Sequence, residues 1–247
     1  MKKLKFLSLT LFSLFMASSF TACDTTEGYT IGDIYPTAVV TVKPYADNTH
    51  CYLQLDEKTT LYPVNISGLP YGTKPVRALI NYLAVDDDAK DCDRAVRVVW
   101  MDEILTKQPV QHGNLTQEYL GDDPLEIVKD WVTLVEDGYL TLRFRTLSSG
   151  LGTTHLMNLV KGVNPENPYE VRLRHNAGED TTGNMVDGLV AFDLRSLPQS
   201  DDPNQKLKLV WMSFSGEKSA QFNYRTRKAT PAEGASISEA RPVIKIQ

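Results

Sequence analysis

The chain has 247 residues, of which 42% are hydrophobic and 23% charged, and its mean hydropathy is −0.27. These values are typical of a folded globular protein and exclude a disordered tail or a protein with many membrane spans. The formal net charge is −5; without Lys2, Lys3 and Lys5, 23 basic residues face 31 acidic ones, a net charge of −8. An acidic body without a basic patch argues against a nucleic-acid partner, because phosphates are bound by Lys and Arg.

The N-terminus carries the pattern of an export signal. Its lysines precede an apolar stretch over 6–17 and then small residues. Phe20-Thr21-Ala22-Cys23 resembles the lipobox of bacterial lipoproteins, although Phe20 stands where Leu is usual. We therefore predict a signal peptide over 1–22, acylation of Cys23 with palmitate-type chains, and a tether over 23–33. These would anchor the protein to the bacterial outer membrane, on its periplasmic or its surface face. The alternative is an ordinary cleaved signal with an incidental cysteine.

Two further cysteines, Cys51 and Cys92, lie at the edges of predicted strands. In an oxidising compartment such an even pair favours a disulfide. The alternative is that Cys51, in phase with Leu53 and Leu55, is a buried thiol.

A period-two alternation of apolar and polar residues runs through the chain, and helical periodicity is nearly absent, which predicts an all-β protein. In the first strand Ala38, Val40 and Val42 point inward, and Val39 is the apolar exception on the wetter face. Five short strands fit a small OB-like barrel over 34–113 and also fit an SH3-like barrel. The predicted strands are 38–43, 50–55, 60–65, 75–85 and 94–102.

Residues 106–124 lose the alternation and are predicted to be a linker. The stronger pattern that follows predicts a β-sandwich over 120–247. Within it, Asp137-Gly138 is a dipeptide typical of a tight two-residue hairpin turn. The strands are predicted near 131–135 and at 139–145, 153–160, 169–175, 189–194, 206–214, 219–225 and 243–246.

The sequence contains no P-loop, dinucleotide-binding glycine pattern, zinc-protease helix or nucleophile elbow. Ser215-Gly216-Glu217-Lys218 matches the Ser-x-x-Lys of penicillin-binding enzymes, but their two other motifs are missing. A glycine between two predicted strands favours a hairpin turn there instead. We therefore predict no catalytic residues, no enzymatic activity and no cofactor.

His155 and His175 are in phase with the inward residues of two predicted strands. Two inward histidines can bind a metal or hydrogen-bond each other. Because no third ligand is recognisable, we predict no metal and expect core histidines bonded to a backbone carbonyl. Asn158, close to them in sequence, is expected to satisfy the backbone of a neighbouring strand.

Acidic residues cluster between 86 and 93, where two predicted strands are joined. Carboxylates can hold Ca²⁺, but the spacing and glycine of an EF-hand are missing, so we predict a solvated loop. The loop over 176–188, with Asp180 and Asp187, is interpreted in the same way.

Tyrosines crowd the first half of the chain. OB barrels bind oligosaccharides on one face, and tyrosine both stacks on sugars and anchors protein interfaces. Tyr52, Tyr62 and Tyr82 are the candidate binding residues, and the alternative is that they are structural. The whole set is Tyr35, Tyr45, Tyr52, Tyr62, Tyr71 and Tyr82.

Four segments of the second half, together with the lipobox and the five-strand first half, resemble the NigD-like lipoproteins of Bacteroidota envelopes. They are Glu136–Leu140, His155–Val160, Tyr169–Ala177 and Gly188–Leu194. The resemblance implies an N-terminal OB-like domain and a C-terminal β-sandwich. The family is named after a member in a bacteriocin locus, for which an immunity role was proposed.

These observations predict a non-catalytic, lipid-anchored protein-interaction module whose partner is an envelope protein or, in an immunity-like role, a toxin. The alternative is a lipoprotein that binds a glycan or a peptide on the face of the OB-like barrel. A third interpretation is a fimbria-like surface subunit.

Overall fold

The computed structural model describes residues 36–224 as a closed barrel followed by two further sheets. The predicted all-β fold, a small OB-like barrel and then a β-sandwich, is confirmed. Several predicted features lie outside the described residues: the signal peptide over 1–22, Cys23, the tether over 23–33, Tyr35 and the strand at 243–246.

The barrel closes in the order β1-β2-β3-β5-β4, with β4 paired to β1. Its last strand lies between the third and the fourth and is parallel to the third, which is the OB arrangement and not the SH3-like one. The interior is filled by alternate apolar residues such as Val40, Leu53, Leu61 and Ile80, all without solvent exposure. The strands are β1 Ala38–Pro44, β2 Cys51–Gln54, β3 Thr60–Pro63, β4 Val76–Ala84 and β5 Arg94–Ile104.

The sandwich packs one sheet of order β6-β13-β10-β8, with β9 also on β10, against a second of order β15-β14-β12-β11-β7. Its core includes Leu142, Phe144, Leu173, Phe192 and Leu209. A 3-10 turn, Leu194–Ser196, follows β13. The elements are β6 Thr106–Lys107, β7 Val110–Gln111, α1 Gln117–Leu120, β8 Glu126–Ile127, β9 Leu134–Glu136, β10 Tyr139–Ser148, β11 Leu156–Lys161, β12 Glu170–Asn176, β13 Asn184–Asp193, β14 Lys206–Ser213 and β15 Gly216–Asn223.

The structure corrects the linker predicted over 106–124. β6 pairs in parallel with β13 in one sheet, and β7 pairs in parallel with β11 in the other. The chain therefore crosses between the sheets at Pro109 and then forms α1. Strands of two residues are too short to show an alternation, which is why the pattern is lost there.

The two predicted hairpin turns are present. Asp137 and Gly138 have φ values of 48° and 78°, and two positive φ angles are what a type I′ turn between β9 and β10 requires. Ser215 and Gly216 lie at the turn between β14 and β15, in which Ser213 pairs with Gly216. The Ser-x-x-Lys segment is thus a hairpin.

The barrel and the sandwich share a buried contact. Val39, the apolar exception of the first strand, packs with Ile104 of the barrel and with Val132 and Ala191 of the sandwich. Arg77 of β4 is fully buried beside this cluster, where it donates to Thr41 of the barrel at 2.9 Å and to Thr141 of the sandwich at 3.3 Å. Its charge is paired with Glu136 at 3.4 Å.

Candidate functional site

The tyrosines predicted to bind a ligand divide into two groups. Leu53 pairs with Leu61, so that Tyr52 of β2 lies opposite Tyr62 of β3 on the outer face of the barrel. Tyr71 and Tyr82 instead pack against the barrel core, and the hydroxyl of Tyr71 donates to the carbonyl oxygen of Met101 at 2.7 Å. Tyr52 and Tyr62 therefore remain candidates for binding, whereas Tyr82 packs against the barrel core, as the structural alternative describes.

The loop between β1 and β2 adds two more rings to this face. The amide of Tyr45 donates to the carbonyl of His50 at 2.9 Å, which closes the loop, and Asn48 adopts a positive φ of 54° at its tip. The Tyr45 ring centroid lies 4.3 Å from that of His50 and 5.1 Å from that of Tyr52. We call Tyr45, His50, Tyr52 and Tyr62 the tyrosine face.

Two charged features border the tyrosine face. Lys43 on β1 forms an ion pair of 2.8 Å with Asp137, in the β9–β10 turn of the sandwich. On the other side lies the loop between β4 and β5, whose five aspartates are all exposed, as predicted for a solvated loop. Strands 2 and 3 of an OB barrel, with loops 1–2 and 4–5, form the surface on which OB domains bind ligands. The tyrosine face occupies that surface.

The hydroxyl groups of Tyr45 and Tyr52 stay protonated. Burial, and then the neighbouring Cys92, raises the pKa of Tyr45 well above its usual range. Burial, and then the carboxylate of Asp137, raises the pKa of Tyr52. These two tyrosines therefore offer an apolar ring surface and a neutral hydroxyl, which suits stacking and hydrogen bonding.

Cys51 and Cys92 are unbridged in the structure. Cys51 points into the barrel core and is 3% exposed, as the buried-thiol alternative describes. Cys92 lies in the β4–β5 loop, where its Sγ is 3.4 Å from the hydroxyl oxygen of Tyr45. The two thiols thus have different surroundings, one in the barrel interior and one at the tyrosine face.

His155 and His175 form the centre of a buried polar chain. Their rings meet edge to edge, with centroids 5.1 Å apart and an interplanar angle of 24°, and His155 Nδ1 lies 2.9 Å from His175 Nε2. At one end, His155 Nε2 lies 3.3 Å from Asp180 Oδ2. At the other end, His175 Nδ1 lies 3.2 Å from the carbonyl oxygen of Asp123. The chain of three hydrogen bonds therefore ends in an acceptor on both sides.

A carbonyl and a carboxylate only accept, so His155 Nε2 and His175 Nδ1 each face an acceptor. Hydrogen bonds from Ser149 and Ser148 hold the pKa of Asp180 well below its usual range. Burial, and then the neighbouring His155, lowers the pKa of His175 to about 4, so that protonation of the His175 ring is resisted.

The buried polar chain is structural. His155 and His175 are 0% and 2% exposed, so a substrate cannot reach their rings. Asp180 joins them to Ser148, whose hydroxyl donates to Asp180 at 2.8 Å. The chain thereby fastens the 177–183 loop to the sandwich.

The loop predicted over 176–188 differs in the structure. Asp180 and Asp187 are both 5% exposed, and β13 already begins at Asn184. Asp187 accepts hydrogen bonds from Arg143 at 2.9 Å and from Arg145 at 2.7 Å. These carboxylates are buried because each has a specific partner, and the spacing of the sequence gives no signal of either pairing.

Asn158 faces away from the two histidines. Its Oδ1 accepts from the Lys107 ammonium at 3.3 Å, and not from the strand backbone that the sequence suggested. Burial lowers the pKa of Lys107.

Neither a metal site nor a membrane-spanning helix is found in the described part of the chain. Within residues 36–224, no three His, Cys, Asp or Glu side chains are grouped to hold a metal ion. The same residues contain no helix long and apolar enough to cross a bilayer.

Residues 39–104 match the NigD-like N-terminal OB domain, and residues 108–224 match the NigD-like C-terminal beta sandwich domain. No curated protein matches the chain. Several solved structures share the architecture. A candidate toxin-related protein from Parabacteroides distasonis has 32% sequence identity, covering 78% of this chain and 94% of its own, with a TM-score of 0.66.

Two more distant structures show the same fold. A NigD-like immunity protein from Bacteroides caccae is 18% identical, covers 75% of this chain and 90% of its own, and has a TM-score of 0.53. A candidate lipoprotein from Bacteroides fragilis is 10% identical, covers 78% of this chain and 100% of its own, and has a TM-score of 0.54.

Proposed function

We propose that this chain, which belongs to the NigD-like family, is a non-catalytic protein-interaction module of the cell envelope that binds its partner through the tyrosine face. The observation that carries the proposal is the cluster of four rings on the OB binding surface. Clustered tyrosines supply much of the binding free energy of protein interfaces, because they bury a large rigid area and keep a hydroxyl for hydrogen bonding.

The partner is an envelope protein or, in an immunity-like role, a toxin. The family membership and the description of two similar proteins as toxin-related and as an immunity protein support this choice. The ion pair between Lys43 and Asp137 and the buried Arg77 hold the barrel against the sandwich, which keeps the tyrosine face in one orientation. A rigid surface loses little entropy on binding.

The module would be held at the bacterial outer membrane by acyl chains on Cys23. The lipobox supports this anchor, as does the similarity to a candidate lipoprotein. Two or more acyl chains bind a membrane stably, whereas one gives only marginal binding.

A glycan is the second candidate ligand for the same face. Neighbouring tyrosines beside the exposed aspartates of the β4–β5 loop offer both ring surfaces and acceptors for sugar hydroxyls. A protein partner and a glycan would bind the same rings, so the two candidates are distinguished by which ligand the chain binds.

Cross-linking in intact cells, followed by mass spectrometry, tests the proposal. We expect one dominant protein partner for the full-length tagged chain, and at least a tenfold loss of it in Tyr52→Ala and Tyr62→Ala. Tyr119→Ala is the control, because Tyr119 is 48% exposed but lies on the sandwich. Cys23→Ala should release the protein from the membrane fraction.

If the tyrosine-face variants and the control capture the partner equally, the tyrosine face is excluded as the binding surface. A glycan retained on an array, lost in Tyr52→Ala and not accompanied by any protein partner, would establish the second candidate instead.

A further inference from the structure

β15 is a long exposed edge of the sandwich. It has eight residues and pairs with β14 alone among residues 36–224. The edge strands β6, β7, β8 and β9 have two or three residues each, and the barrel is closed. Long open edges attract a further strand, because their backbone N–H and C=O groups lack partners.

The register fixes which backbone groups of β15 point outward. The turn Phe214-Ser215 closes at the pair Ser213 and Gly216, so this pair and every second pair after it exchange hydrogen bonds. The amide of Tyr224 donates to the carbonyl of Gln205 at 2.8 Å, which continues the same alternation. The outward backbone groups belong to Glu217, Ser219, Gln221 and Asn223.

A groove of about 400 Å³ runs beside this edge, between β15 and the segment that joins β8 to β9. Ala220 and Phe222 line it from β15 and pack against the sandwich core, and Ile127 lines it from β8. A strand added to β15 places every second side chain on the same face as Ala220 and Phe222. The groove therefore fits an extended segment with an apolar residue at alternate positions.

We propose that Val243–Ile246 of the same chain binds along β15 as an added strand. The sequence predicts a strand at these residues, and period two puts Ile244 and Ile246 on one face and Lys245 on the other. The two isoleucines then fill the groove, while Lys245 faces solvent.

The position of this segment in the chain favours it over a separate partner strand. It follows the end of the sandwich after residues 225–242, which reach up to ~60 Å when extended, whereas a strand of eight residues is ~27 Å long. A segment held in the same chain has a high effective concentration at the edge. Within 225–247 it is also the sole run of neighbouring β-branched residues.

The proposal is independent of the tyrosine face and goes beyond the proposed function. A covered β15 cannot pair with the edge of another copy. The added strand would thus suppress association between chains through β15.

Hydrogen exchange of the full-length chain, read by mass spectrometry, tests the proposal. The amides of Glu217, Ser219, Gln221 and Asn223 do not bond to β14, so they exchange rapidly unless another strand covers them. We expect at least tenfold protection of these amides in the unmodified chain. Ile244→Asp/Ile246→Asp should abolish it, whereas Ile237→Asp, the same change elsewhere in the tail, should preserve it.

Gln221→Pro adds a test on the strand itself. It removes an outward N–H without breaking a bond to β14, so it should weaken protection of Ser219 and Asn223, while Gln221→Ser should not. Rapid exchange in the unmodified chain, or protection that survives Ile244→Asp/Ile246→Asp, would overturn the proposal. Protection that rises with protein concentration would assign the edge to a second copy instead.

Discussion

His175 shows how a single buried side chain sets a pH response. Its neutral form is favoured because the ring is buried and, to a smaller extent, because His155 lies next to it. The ordinary pKa of a histidine is 6.5, and that of His175 is about 4. Below pH 6.5 the unfolded chain therefore binds a proton that the folded chain resists, so that His175 lowers stability as the pH falls from 6.5 to 4.

Glu136 acts in the opposite sense over a similar range. Burial raises its pKa to about 7, from an ordinary 4.5, against the lowering effect of Arg77. Between pH 4.5 and 7 the folded chain holds a proton that the unfolded chain has lost, so stability falls as the pH rises through this range. The effects of His175 and Glu136 on the pH dependence of stability therefore offset each other in the unmodified protein.

Substituting one residue of the two should expose the effect of the other. In Glu136→Gln, we expect the free energy of unfolding to fall by about 2 kcal/mol between pH 7 and pH 4.5, because His175 then acts alone. Urea unfolding at several pH values measures it. His175→Asn is the matched variant. Glu136 then acts alone, so the free energy of unfolding should rise as the pH falls from 7 to 4.5. A flat profile in Glu136→Gln would show that His175 does not resist protonation.

At the scale of strands, the sequence predicts the long elements well and the short ones poorly. β10 and β14 have eight or more residues, so their alternation is clear and their hairpin turns carry Gly. β6 and β7 have two residues each and owe their existence to tertiary pairing with β13 and β11. Their identity as strands is therefore set by the rest of the sandwich, which a local pattern does not contain.

The same limit applies to the polar groups. The alternation places His155 and His175 inside the sandwich, and the tyrosines on the barrel. It does not show that Asp180 lies beside His155 or that the Tyr45 ring contacts that of His50, since these contacts depend on how loops return to the strands. Side-chain contacts made across loops join residues that are far apart in the sequence, and no local sequence pattern marks them.

Gly188 is a strand residue whose lack of a side chain can be tested. It lies opposite Phe144 in the β10–β13 pair, and a Cβ there would be 2.4 Å from Phe144 Cζ and 2.9 Å from Cε1. Gly188→Ala should lower the free energy of unfolding by about 1–3 kcal/mol, because the core has no room for the methyl group. Adding Phe144→Leu should recover part of that loss, and thermal unfolding of both variants measures it. If the losses in unfolding free energy from the two substitutions simply add, this would argue against a close contact between residues 188 and 144.

At the scale of the whole molecule, the barrel and the sandwich behave as one unit in this structure. The apolar cluster around Val39 and Ala191 joins them, and Arg77 of the barrel has its hydrogen bonds and its countercharge largely in the sandwich. A buried guanidinium without Glu136 would be strongly unfavourable, so separation of the two domains requires Arg77 to be rehydrated. We therefore expect the chain to unfold in a single cooperative transition.

Arg77→Met tests this coupling. The substitution leaves the carboxylate of Glu136 buried without its cation, which should cost about 3 kcal/mol at pH 8. The cost should shrink at pH 6, because the pKa of Glu136 is about 7 beside Arg77 and rises further without it, so that Glu136 accepts a proton. Arg172→Met is the control, because the ion pair of Arg172 with Glu217 is exposed and on the outer face of the sandwich.

Far-UV circular dichroism and tryptophan fluorescence should report one midpoint in the unmodified chain and in the control. They should report two midpoints in Arg77→Met at pH 8, since the barrel then loses its buried ion pair with the sandwich. A single midpoint in Arg77→Met, with stability equal to that of the control, would mean that the apolar cluster alone holds the domains together.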